Sequence, residues 1–117
     1  MKYALLIYST EARNTFDGLP ADQQQAILGE YRAISELPGT FAGEQLQPSS
    51  TATTVRVDGG ETLTTDGPFA ETKEQLGGYY AVEANDVDEA IALAERIPAA
   101  RGGTIEVRPL VPRMVPA

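Results

Sequence analysis

Asp66, Glu71, Lys73 and Glu74 carry most of the chemistry this chain could perform. The last three stand five to eight positions after Asp66, so a loop could gather two or three carboxylates around one ammonium. Such a group could bind a cation, hold a polar ligand, or raise one carboxyl pKa for acid–base work. The competing reading of Lys73 and the glutamates is a solvated ion-pair surface worth little energy. Asp66-Gly67-Pro68 reads first as a turn. Asp accepts hydrogen bonds from nearby backbone N–H groups, Gly tolerates positive φ, and Pro stops the strand. Phe69 is then expected to plug the loop onto the core. Asp66 is the best catalytic candidate, but the turn reading takes precedence over it. Gly77-Gly78 leaves room for close backbone approach, to a neighbouring strand before a ligand.

Other candidates are scattered. Tyr8, ending the first strand, could place a hydroxyl at a cleft mouth, although an aromatic there is more often core or interface. Glu44 is expected to face solvent. Arg101-Gly102-Gly103 reads as a loop in which Arg101 either steers an anion or caps nearby carbonyls. No phosphate-binding glycine loop, dinucleotide fingerprint or serine-nucleophile elbow occurs. The chain has neither cysteine nor histidine. Disulfides, thiolate sites, the usual near-neutral base and the commonest transition-metal ligand are therefore excluded. Acid–base work would fall to Asp, Glu, Lys, Tyr or water. No metal site or cofactor is assigned.

Two helices and six strands must position these residues. The first helix follows Pro20, taken as its first helical position. Ile27, Tyr31, Ile34 and Leu37 form its apolar stripe, and Pro38-Gly39 stops it. The second starts at Asp86 with Glu89 as an acidic capping-box partner, shows Val87, Ile91, Ala94 and Ile97 as its stripe, and ends at Pro98. Strands are expected over 2–8, 41–46, 53–57, 61–65, 78–84 and 104–110. The middle pair is joined at Asp58-Gly59-Gly60 as a hairpin. This order predicts an α+β, ferredoxin-like fold, βαβ-hairpin-βαβ, with an antiparallel sheet and both helices on one face.

Such a sheet should alternate apolar and polar residues. The first strand does not: Tyr3, Leu5 and Ile7 point one way, Ala4, Leu6 and Tyr8 the other. Tyr79-Tyr80-Ala81-Val82 repeats the pattern. A homodimer packed sheet against sheet is the simplest cover for the second face.

With 117 residues the chain fits one domain, expected over 1–111, with 112–117 a loose tail. Seventeen acidic residues against nine basic ones give a net charge of −8. That surface repels phosphate backbones and anionic membranes, so neither nucleic acid nor membrane is an expected partner. The apolar run from Tyr3 to Tyr8 is too short for a signal peptide or a span, and the expected location is the cytoplasm.

The stretch from Thr65 to Tyr80, TDGPFAETKEQLGGYY, resembles the signature of the DGPF-type branch of the YCII-related domain family. MKYALLIY at the start, LQP and TATTVR in the middle, and PAARGG and IEVRP at the close are similar to that family too. The resemblance implies a ferredoxin-like domain forming a dimeric α/β barrel. Some wider family members pair an aspartate with a histidine in a cleft. Asp66 matches the aspartate, but a chain without histidine cannot form the dyad. DGPF-type proteins are also commonly encoded beside alternative sigma factors, which implies a regulatory or stress-linked role.

Three functions are thus in view. The first is a homodimeric module binding a small polar ligand through Asp66, Phe69, Glu71, Lys73, Tyr8 and Arg101. The second is an isomerase- or lyase-like enzyme with Asp66 or Glu71 as base, which needs a raised carboxyl pKa. The third is an interaction protein docking a sigma factor through its acidic surface.

Overall fold

The computed structural model describes residues 1–10 and 16–112. Six strands and two helices follow in the order β1 (Lys2–Ser9), α1 (Ala21–Ser35), β2 (Thr40–Gln45), β3 (Thr53–Asp58), β4 (Glu61–Asp66), β5 (Gln75–Glu83), α2 (Val87–Glu95) and β6 (Thr104–Pro109). Short 3₁₀ turns at Phe16–Gly18, Ser49–Thr51 and Pro98–Arg101 join them. Four strands form one antiparallel sheet in the order β2-β5-β1-β6, while β3 and β4 form a separate two-stranded sheet. Without the hairpin, the remaining βαβ-βαβ order is the ferredoxin-like arrangement expected from the chain. The expected tail falls mostly on residues 113–117, which lie outside the described residues.

Register decides which side of the sheet is core. Tyr3 pairs with Val82 and Leu5 with Tyr80, and all four are buried. They meet Ile34 of α1, Ala90 and Ala94 of α2, and Ile97 just beyond it, so both helices cover this one face. Gly43 opposes Tyr80, and a Cβ there would stand 2.7 Å from its ring carbon, so the missing side chain makes room for the aromatic. The second face carries Ala4, Leu6 and Tyr8 beside Tyr79 and Ala81. Glu44 joins it opposite Tyr79 and is exposed, as expected.

The helix ends differ from expectation in detail. Pro20 is the N-cap of α1, one residue before the first helical position, and its carbonyl accepts from Gln24 N–H at 3.0 Å. Ile27, Tyr31, Ile34 and Leu37 are all half-buried or buried, as their spacing requires. At α2, Asp86 accepts the Glu89 N–H at 2.9 Å, the N-cap bond. Glu89 returns to Asn85 rather than to Asp86, accepting from its side-chain amide at 2.9 Å. The expected α2 stripe is corrected: Val87 and Ile91 are exposed, while Ala90, Ala94 and Ile97 are buried. Helical spacing places 90, 94 and 97 on one arc and 87 and 91 at its edge. Alanine lets the helix lie closer to the sheet there, so small residues rather than large ones face inward.

The hairpin turn is as the glycines imply. Gly59 and Gly60 have φ of +57° and +83°, the two positive values a two-residue primed turn needs.

Candidate functional site

The site is built where the hairpin rejoins the sheet. β4 ends at Asp66, opposite Thr53, and the chain leaves through Gly67 at φ +95°. Glycine has no Cβ to clash in that region. Two hydrogen bonds fasten this exit. The Gly67 N–H donates to the Ala52 carbonyl at 2.7 Å, and Thr54 Oγ1 donates to the Gly67 carbonyl at 2.7 Å. The Asp66 carboxylate, expected to accept backbone N–H groups, is exposed and makes no hydrogen bond among the described residues. Thr54 holds the turn in its place.

Gln75, the first residue of β5, clamps the loop that follows. Its Nε2 lies 3.0 Å from the Thr72 carbonyl, 2.9 Å from Thr72 Oγ1 and 3.3 Å from the Ala70 carbonyl. Thr72 Oγ1 in turn donates to the Glu74 carbonyl at 2.5 Å. The loop is therefore pinned by neutral amide and hydroxyl groups. The expected gathering of carboxylates around Lys73 does not occur: among the described residues none of Asp66, Glu71, Lys73 and Glu74 enters an ion pair. Asp66, Glu71 and Lys73 are exposed, so water solvates each charge at less cost than ordering them together. Phe69 is corrected as well. It is 80% exposed and plugs nothing, because the loop is already closed by Gln75 and Thr54.

A groove of about 420 Å³ opens beside this loop. Its apolar wall is Leu46, Pro48, Ala52, Pro68, Phe69 and Leu76. The polar groups are Gln47, Ser49, Thr51, Thr53, Thr54 and Gln75, all neutral. Of the expected site residues only Phe69 lines it. Tyr8 stands one strand away, half-buried and paired with Leu76. Arg101 belongs elsewhere, to a 280 Å³ cleft between the helices with Glu30, Ala33, Ile34, Glu95 and Arg96. There its Nη2 lies 2.9 Å from Glu30 Oε2, in an exposed ion pair, and among the described residues it caps no carbonyl.

Close by, burial pushes the Tyr31 hydroxyl above its ordinary pKa, partly offset by a hydrogen bond from the Ala99 backbone and by Arg101. Burial likewise raises Tyr80, with Tyr31 adding to it, and the Tyr80 hydroxyl donates to the Tyr31 carbonyl at 3.0 Å. Gly78 resolves in favour of a strand: a Cβ there would sit 2.9 Å from the Glu44 carbonyl oxygen of β2.

Neither Gln75 nor Thr54 signals chemistry by residue type. Their one clue was position, an amide at a strand start and a hydroxyl beside a glycine exit. Among the described residues no group of three or more carboxylates could hold a metal ion, and no helix is long and apolar enough to cross a membrane.

The sheet order and one-sided helices define an α+β domain with a hairpin inserted before its third sheet strand. The model of the YCII-related domain matches residues 1–113, and the chain belongs to that family. It is 38% identical over 117 residues to a protein of Rhizobium meliloti (strain 1021) described as uncharacterized, covering 94% of this chain and 92% of that one.

Proposed function

We propose that this YCII-family domain is a homodimeric binding module for a small polar ligand carrying no net charge, held in the groove beside the Asp66-Gly67-Pro68-Phe69 loop. The observation that carries it is the groove's lining: an apolar wall, six neutral hydroxyl or amide residues, and a volume within the range of small-molecule sites. Neutral donors and acceptors fix the orientation of an uncharged polar molecule without the desolvation cost of burying a charge. Asp66, Glu71 and Lys73 stand outside the lining and serve as its charged rim. Two copies packed through the second face of the sheet complete a dimeric α/β barrel, which removes Leu6, Tyr8 and Tyr79 from water.

The isomerase- or lyase-like reading needs a carboxylate within reach of the substrate. No ionisable residue lines the groove, so binding is preferred to catalysis. A regulatory or stress-linked role fits a binding module in the cytoplasm, with a sigma factor as a partner downstream of ligand.

The test is a thermal-shift screen of uncharged hydroxylated and amide-bearing metabolites. A ligand that binds only the native state raises Tm by mass action, by several degrees well above its Kd. We expect a shift that is lost in Thr54→Val and Phe69→Ala but kept in Lys73→Ala. A shift kept in the first two and lost in Lys73→Ala would move the site onto the charged loop.

A further inference from the structure

Several polar groups of the groove have already committed their protons inside the protein. Thr51 Oγ1 donates to the Pro48 carbonyl at 2.7 Å, and Thr54 Oγ1 donates to the Gly67 carbonyl at 2.7 Å. Gln75 Nε2 donates to the Ala70 and Thr72 carbonyls and to Thr72 Oγ1. Those carbonyl oxygens can only accept, so they fix which end of the amide is nitrogen. The backbone of the lining is committed in the same way. The N–H groups of Leu46, Thr51 and Ala52 donate to the carbonyls of Gly77, Pro48 and Ser49 at 2.9, 2.9 and 3.0 Å. Pro48 and Pro68 have no N–H to give. What Thr51, Thr54 and Gln75 still offer is oxygen lone pairs. A hydroxyl that has donated keeps its capacity to accept, and Gln75 Oε1 accepts no hydrogen bond among the described residues. Gln47 and Thr53, both exposed, add unused side-chain donors.

We infer that the groove takes a cyclic polyol, a monosaccharide or inositol-like ring that gives its hydroxyl protons to Thr51, Thr54 and Gln75. The inference rests on the binding-module reading above and narrows its ligand from uncharged and polar to rich in donors. A carboxylate or phosphate brings only lone pairs to these lone pairs, and the net charge of −8 repels it as well. A polyol hydroxyl both donates and accepts, so it also satisfies the Gln47 amide. The apolar wall suits the other side of such a ring. Phe69 is 80% and Leu46 45% exposed, a surface open to a ligand. The negative face of an aromatic ring attracts the slightly positive C–H hydrogens of a sugar face. A planar heterocycle would share that stacking but presents its polar groups along an edge. The acceptors here come from the 3₁₀ turn Ser49–Thr51, from β3 and from β5. A ring with hydroxyls around its perimeter can meet all three.

The experiment is saturation-transfer NMR followed by titration calorimetry on the full chain, with each variant checked by circular dichroism. The probes are myo-inositol and uncharged hexoses, uracil and nicotinamide as planar uncharged rings, and inorganic phosphate. We expect a polyol to bind and phosphate not to. The polyol's Kd should rise about tenfold or more in Phe69→Ala and in Thr51→Val, and Thr51→Ser, which keeps the hydroxyl, should recover it. Deoxy and deoxyfluoro analogues of the bound polyol then read the direction of each hydrogen bond, since fluorine cannot donate. Equal losses for the two analogues are expected wherever the protein accepts. A fluoro analogue that binds as well as its parent at every position overturns the inference. Binding of uracil or nicotinamide that is weakened by Phe69→Ala, with no polyol bound, overturns the polyol and leaves the neutral-ligand groove standing. Polyol binding indifferent to Phe69→Ala and Thr51→Val overturns both, as does binding of phosphate alone or of no probe at millimolar concentration.

Discussion

At the scale of single residues, polar order in this protein is kept by neutral groups. Thr54, Thr72 and Gln75 shape the loop with short hydrogen bonds, while Asp66, Glu71 and Lys73 remain in water. The fold perturbs two tyrosines. Burial favours the neutral phenol, so the folded-state pKa values of Tyr31 and Tyr80 lie above the ordinary value of 10.0. The sign follows from linkage: the stability they contribute is fully present below pH 10 and is lost as pH rises through the folded values. Tm should therefore hold to about pH 10 and fall above it. In Tyr31→Phe/Tyr80→Phe the alkaline fall should be shallower, as read by thermal unfolding against pH. An equally steep fall in the double variant would assign the alkaline limit to other groups. The tyrosine pair was visible in the chain only as core and stripe positions. Their coupling depends on the Tyr80 hydroxyl reaching the Tyr31 carbonyl, 49 residues distant in the chain, and no local pattern encodes that contact.

At the scale of elements, boundaries followed from local chemistry and faces did not. Asp86 caps α2 because a carboxylate one residue before the helix can accept an otherwise unpaired N–H. Asp86→Ala should lower stability by about 1 kcal/mol and Tm by several degrees, measured by denaturant and thermal unfolding. Asp86→Asn should restore most of it, since an amide oxygen accepts the same bond. The inward side of α2 was harder to read. Val87 and Ile91 suggested one stripe by size, but Ala90 and Ala94 are the residues against the sheet. A small apolar residue reads equally well as a surface or a contact position until a neighbouring element fixes its distance. The same holds for Gly43 and Gly78, whose missing side chains are required by Tyr80 and by the β2 backbone respectively.

At the scale of the whole molecule, the outstanding feature is surface that one chain does not cover. The principal extents of 50 × 47 × 20 Å describe a slab with a projecting hairpin rather than a sphere. If two copies share that surface, folding is coupled to association, and Tm should rise with protein concentration. Scanning calorimetry over a broad concentration range checks this. A constant Tm would show that the single chain is stable with its apolar faces in water.

The chain by itself determined what depends on near neighbours. Strand and helix order, the glycine turn, the N-cap, the doubled apolar faces of β1 and β5 and the YCII-type signature are all local. Periodicity, φ preference and short-range hydrogen bonding act over a few residues, and a linear reading follows them. Tertiary structure decided which groups meet. It opened Asp66, Glu71 and Lys73 to solvent, sent Arg101 to a cleft of its own with Glu30, and built the groove from Leu46, Phe69, Gln75 and other neutral residues of three separated segments. The reason is physical. Solvation competes with each ion pair on nearly equal terms, and only the closing of the hairpin onto the sheet settles which side chains share a surface.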